Sequence, residues 1–122
     1  MALGMSISAR IRGLDYRTYA ILSDGECNEG SIWEAAMLAS AQKLDKLTVI
    51  IDYNKWQATG RSQQVMAIEP LSDKWKSFGW NIQEIDGHDF SQIENSFNKA
   101  REESNPSAII AHTIKGKGVS FM

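Results

Sequence analysis

The chain has 122 residues, 43% hydrophobic and 23% charged, with a net charge of −2 and one cysteine. That length suits a single domain with a sizeable core, and the charge leaves no basic excess for nucleic acid or an anionic membrane surface. No apolar stretch approaches the ~20 residues of a membrane span, and a lone Cys27 rules out an internal disulfide and suits a reducing compartment, with the cytoplasm as the default.

The opening residues, MALGMSISARIRG, are helix-like, and Arg10 and Arg12 follow the apolar part, the reverse of a secretory signal. YRTYAIL (16–22) reads as a first strand. A helix is expected over 31–44, where Ile32, Ala35, Ala36, Ala39 and Leu44 build one apolar stripe and Ser31 with Glu34 forms a capping box. LTVIIDY (47–53) is apolar almost throughout, the mark of a strand covered on both faces. After a loop, PLSDKWKSFG (70–79) is punctuated by Pro70 and Gly79 as a short helix. WNIQEID (80–86) is a third strand. Asp89 is placed to cap a helix over 90–104, with Gln92 three residues on and Phe90, Ile93, Phe97 and Ala100 on one side. SAIIAHT (107–113) is the fourth strand, and a Gly/Lys-rich segment, TIKGKGVSFM, leaves it. The alternation predicts an α/β fold, a parallel sheet with helices on both faces, as one domain over residues 1–122. No strand precedes the opening helix and little follows the last strand, so the domain is expected to be incomplete.

In such a sheet ligands bind beyond the carboxyl ends of the strands. Polar clusters sit at those ends: SDGECNEG, DYNKWQATG, DGHDF and TIKGKG. An isolated Asp-Gly is an ordinary turn. Asp24 and Asn54, each just past a strand and separated by one helix and one strand, instead offer two hard oxygen ligands of the kind Mg²⁺ takes. Gly25 permits close backbone approach to a phosphate oxygen, and the following helix could add its N-terminal dipole. A diphosphate held through Mg²⁺ is the simplest ligand such a loop pair suits. Cys27 has no assigned role, His88 is read as shaping the turn before Asp89, and Trp33, Trp75 and Trp80 as core or interface residues.

The run SDGECNEGSIWEAAMLASAQKLDKLTVIIDYNKWQATG resembles the thiamine-diphosphate motif of transketolases, G-D-G followed 25 to 30 residues later by an asparagine. The likeness continues through PLSDKWKSFGWNIQEIDGHDF and TIKGKGVSFM, and is nearest to the N-terminal, diphosphate-binding half of two-subunit transketolases. The resemblance implies a thiamine-diphosphate-binding fold with Mg²⁺ held by Asp24, Asn54 and the main-chain carbonyl of Trp56. It further implies a diphosphate contact from the Gly25 N–H, with Glu26 and Lys115 counted among the cofactor-binding residues. Glu29 matches a glutamate of the network between two cofactor sites. The implied activity is two-carbon ketol transfer between sugar phosphates by a homo- or hetero-oligomer, with a pyrimidine-domain partner subunit supplying the glutamate that activates the cofactor.

Two residues depart from the motif: Ser23 stands for its first glycine, which a serine can do at negative φ, and Tyr53 stands before the ligand asparagine. The family's glycine-rich segment over the thiazolium and its substrate-channel histidines would precede Met1. Its tryptophan-histidine-glycine segment would follow Met122. No catalytic residue is therefore assigned within the chain. Two alternatives accompany this reading: another thiamine-diphosphate enzyme, such as 1-deoxyxylulose-5-phosphate synthase or a 2-oxoacid dehydrogenase E1 component, and a non-catalytic relative serving as a binding or assembly domain. The KLDKL and KGKGVSFM segments favour transketolase over the other enzymes.

Overall fold

A computed structural model describes all 122 residues. The elements in order are α1 (Ala2–Ile11), β1 (Thr18–Ser23), a 3₁₀ turn (Gly25–Asn28), α2 (Gly30–Ala41), β2 (Leu47–Tyr53), β3 (Trp56–Gln57), β4 (Gly60–Arg61), α3 (Ser62–Val65), α4 (Leu71–Ser77), β5 (Asn81–Asp86), α5 (Phe90–Glu102) and β6 (Ser107–His112). Four strands form one sheet in the order β1-β2-β6-β5, every neighbouring pair parallel. The two strands with near-continuous apolar sequence, β2 and β6, occupy the centre and are buried on both faces. Edge strands β1 and β5 are only partly covered.

On one face Val49, Ile51, Tyr53, Ala108 and Ile110 meet Ala36 and Ala39 of α2 together with Leu71 and Trp75 of α4, while Leu3 and Ile7 of α1 pack alongside. Trp75 lies edge-on to Trp80, ring centroids 4.8 Å apart, and tilted against Trp33 at 5.3 Å. The core role expected of these tryptophans is observed. On the other face α5 covers β5, and its Phe97 meets Tyr19 of β1 edge-to-face at 5.5 Å.

Several boundaries differ from expectation for identifiable reasons. The helix expected to reach Leu44 ends at Ala41, because Lys43 takes a left-handed conformation (φ 48°) and the chain reverses through Lys43 N–H to Ser40 O and Leu44 N–H to Ala39 O. Leu44 is buried all the same, just past the helix. The Ser31–Glu34 capping box does not form: α2 begins one residue earlier, Glu29 stands at its N-cap, and no side chain caps it. Phe90, the first residue of α5, is 87% exposed and does not join the apolar side that faces the sheet. Asp89 does cap α5, its carboxylate accepting the N–H groups of Ser91 and Gln92. No helix is long and apolar enough to cross a membrane.

Candidate cofactor site at the strand ends

Pairing register fixes the geometry. Ser23 lies opposite Asp52, so Asp24 emerges beside Tyr53 and one residue short of Asn54. Ser23 keeps negative φ, since Lys43 and Lys55 alone among non-glycine residues have positive values. Asp24 is 0% exposed. Its Oδ2 accepts the Ser62 hydroxyl at 2.7 Å, while its Oδ1 is buried with no partner. Ser62 opens α3, and its N–H donates to the Lys55 carbonyl at 3.0 Å. One serine thus ties the loop after β1 to the turn after β2.

That second turn is shaped by Lys55, left-handed at φ 67°. Asn54 Oδ1 accepts the Trp56 N–H at 2.9 Å, and Asn54 Nδ2 donates to Asp52 Oδ2 at 3.1 Å. Asp52 therefore sets which way the amide points and leaves Oδ1 a second lone pair. The chain continues into the short β3–β4 hairpin, where Trp56, 41% exposed, lies under the Arg61 guanidinium at 4.7 Å. Gln57 packs beside Gly25: a Cβ on that glycine would stand 3.4 Å from Gln57 Cγ. The Gln57 Nε2 is also buried without a partner.

Glu26 folds back, its carboxylate accepting the Ser23 N–H at 2.6 Å and the Ser23 hydroxyl at 3.1 Å, so it closes the 23–26 turn. The Trp33 indole N–H donates to the Cys27 carbonyl at 2.8 Å and pins that turn to α2. Cys27 itself is buried, and burial followed by the nearby Asp24 charge pushes its thiol up to about 12. It is a chemically quiet core residue. Tyr53 is buried beneath the same edge, its hydroxyl donating to Glu69; burial and that bond raise its pKa. Glu29 is exposed. Lys115 is exposed on the same sheet edge, beyond β6, without a hydrogen bond to the Asp24 or Asn54 loops. His88 does not merely shape its own turn: its Nε2 accepts the Ile114 N–H at 2.9 Å.

The structure thus brings Asp24, Gly25, Asn54 and Trp56 to one pair of abutting loops, while Lys115 and Glu29 are exposed. Sequence reasoning missed Ser62 and Gln57, which lie in a stretch with no periodicity. No three His, Cys, Asp or Glu side chains converge on one point, so a cation here would rest on one carboxylate plus neutral amide and main-chain oxygens. A buried carboxylate oxygen with no donor suits such an ion, because it lacks the partner that burial demands.

Comparison with known proteins identifies the family. The family described as "Transketolase, thiamine diphosphate binding domain" matches residues 9–121. The 6-deoxy-6-sulfo-D-fructose transketolase subunit SqwG of Clostridium sp. (strain MSTE9) is 46% identical over 98% of this chain and 44% of its own length. An apulose-4-phosphate transketolase subunit from Phocaeicola vulgatus is 42% identical over 100% of this chain and 44% of its own length. The crystal structure of transketolase from Campylobacter jejuni superposes with a TM-score of 0.90 at 29% identity, covering 97% of this chain and 20% of that one. The chain therefore spans under half the length of these relatives. It belongs to the transketolase family, within the thiamine-diphosphate-binding domain.

Proposed function

We propose that the chain is the diphosphate-holding part of a transketolase, which moves a two-carbon ketol unit from a ketose phosphate to an aldose phosphate with thiamine diphosphate and Mg²⁺. The observation that carries this reading is the Asp24 carboxylate, fully buried, with Oδ2 bonded to Ser62 and Oδ1 bare. A divalent ion at Oδ1 would offset the desolvation of that oxygen. Asn54 Oδ1 and the Trp56 carbonyl add neutral oxygens, and the Gly25 N–H is offered to a diphosphate oxygen. Glu26 supports the loop by closing its turn, Lys115 adds positive charge near the diphosphate, and Glu29 faces a neighbouring subunit.

Thiamine diphosphate, when bound, supplies the carbanion chemistry. The work of this chain is to hold the charged end of the cofactor rigidly. The cofactor-activating glutamate comes from a pyrimidine-domain partner subunit, in a homo- or hetero-oligomer of the cytoplasm. Two relatives are named as subunits, which supports a partner chain. One of these relatives is named for a sugar phosphate, apulose 4-phosphate, which supports sugar phosphates as substrates. The uncovered edge of β1 supports association as well: Ile21 is 76% exposed and Tyr19 borders a groove of about 390 Å³ lined by hydrophobic residues.

Calorimetric titration of thiamine diphosphate with Mg²⁺ into the chain together with its partner subunit tests this reading. Saturable heat that Asp24→Ala abolishes is expected. Absence of heat from the unaltered complex would overturn it.

A further inference from the structure

The DGHD turn between β5 and α5 makes contacts that its role as a helix start does not require. Gly87 N–H donates to the His112 carbonyl at 2.9 Å, joining the turn to the last residue of β6. A Cβ at position 87 would lie 2.5 Å from Thr113 Cγ2 and 3.2 Å from the His112 oxygen, so glycine alone permits this approach. Asp86 Oδ1 accepts the His88 N–H at 2.9 Å. The His88 ring reaches across to the segment leaving β6, where its Nε2 accepts the Ile114 N–H at 2.9 Å. An imidazole nitrogen accepts only when it carries no proton, so the ring hydrogen sits on Nδ1.

Ile114 is also where anchorage to the sheet ends. Before it, Thr113 N–H donates to the Tyr53 carbonyl at 3.3 Å and the Thr113 hydroxyl to Asp52. After it, backbone bonds are local turns: Lys117 to Ile114, Val119 to Gly116, Met122 to Val119. His88 therefore makes the last fastening of this segment, one residue before Lys115.

We propose that His88 is a positioning residue, the catch of a latch formed by residues 86–88, which holds the chain leaving β6 and so fixes the place of Lys115 at the strand-end site. Its consequence for cofactor binding rests on the reading of Lys115 given above; the latch itself does not. Loss of one such hydrogen bond changes a local opening equilibrium by about five- to tenfold.

Limited trypsin digestion of the full chain, followed by mass spectrometry, reads the opening directly through cleavage after Lys115 and Lys117. His88→Leu is expected to speed that cleavage about five- to tenfold. His88→Gln, whose Oε1 can replace Nε2 as acceptor, is expected to keep the original rate. In the unaltered protein the Ile114 amide hydrogen should exchange at least about tenfold more slowly than that of Lys115, a measurement that needs no variant to fold. Equal cleavage in His88→Leu and the unaltered chain, or equal exchange at residues 114 and 115, would overturn the latch. In calorimetry with thiamine diphosphate and Mg²⁺, His88→Leu should weaken binding and His88→Gln restore it. Weakening by Lys115→Ala but not by His88→Leu would break the link between latch and cofactor. No weakening by Lys115→Ala would remove Lys115 from the cofactor reading, and the cleavage result would still decide the latch.

Discussion

At the scale of single residues, the site turns on an aspartate that is half satisfied. Burying a carboxylate is unfavourable unless its oxygens find donors or a cation. Ser62 provides one donor to Asp24, a charge-assisted bond worth about 1.5–3 kcal/mol. Ser62→Ala should therefore destabilise the cofactor-free chain by about that amount in urea unfolding, and a loss under about 0.5 kcal/mol would show that the bond is idle. Asp24, Gly25 and Asn54 are legible in the sequence because acid, glycine and amide follow directly on apolar strands. Ser62 is not, being a lone serine 38 positions from its partner, brought there by a hairpin with no periodic pattern. The latch contact of His88 is hidden for a similar reason: its partner is a backbone N–H on a neighbouring strand's exit, 26 positions away.

At the scale of elements, helix ends are decided by local chemistry, some of it visible in the sequence. Gly79 ends α4 in a left-handed turn (φ 86°), as its position after a helical pattern suggests. Lys43 performs the same reversal after α2 without the glycine that would have announced it. The Asp89 cap is legible because the acid precedes a helical pattern and Gln92 follows at the right spacing. Its carboxyl is held below the ordinary 3.8 first by the Gln92 backbone N–H and then by the Gln92 amide. A lowered folded value means that the cap's contribution is present above the unfolded pKa and is lost as pH falls through the folded one. Asp89→Asn should therefore reduce the acid sensitivity of the thermal midpoint, flattening its decline below about pH 4 relative to the unaltered chain. An unchanged slope would mean that the cap charge does not contribute.

At the scale of the whole molecule, strand order converts a linear pattern into a site. Apolar runs put β2 and β6 at the centre, and the register then aligns the exits of β1 and β2, so that the loops that follow them abut through Ser62 and Gln57. The fold class and the centre of the sheet can be read from hydrophobic runs alone. The order β1-β2-β6-β5 cannot, because the crossover from β2 to β5 passes over a strand not yet made. Nor can periodicity show that β1 keeps one edge open. What the alignment of strand exits is for can be measured directly. Crystals of the chain with its partner, grown with thiamine diphosphate and Mn²⁺ in place of Mg²⁺, would locate the ion by anomalous scattering. One peak is expected, bound by Asp24 Oδ1, Asn54 Oδ1 and the Trp56 carbonyl at roughly 2.0–2.3 Å. An ion bound elsewhere, with Asp24 Oδ1 still bare in the cofactor-loaded protein, would contradict a diphosphate site at these strand ends.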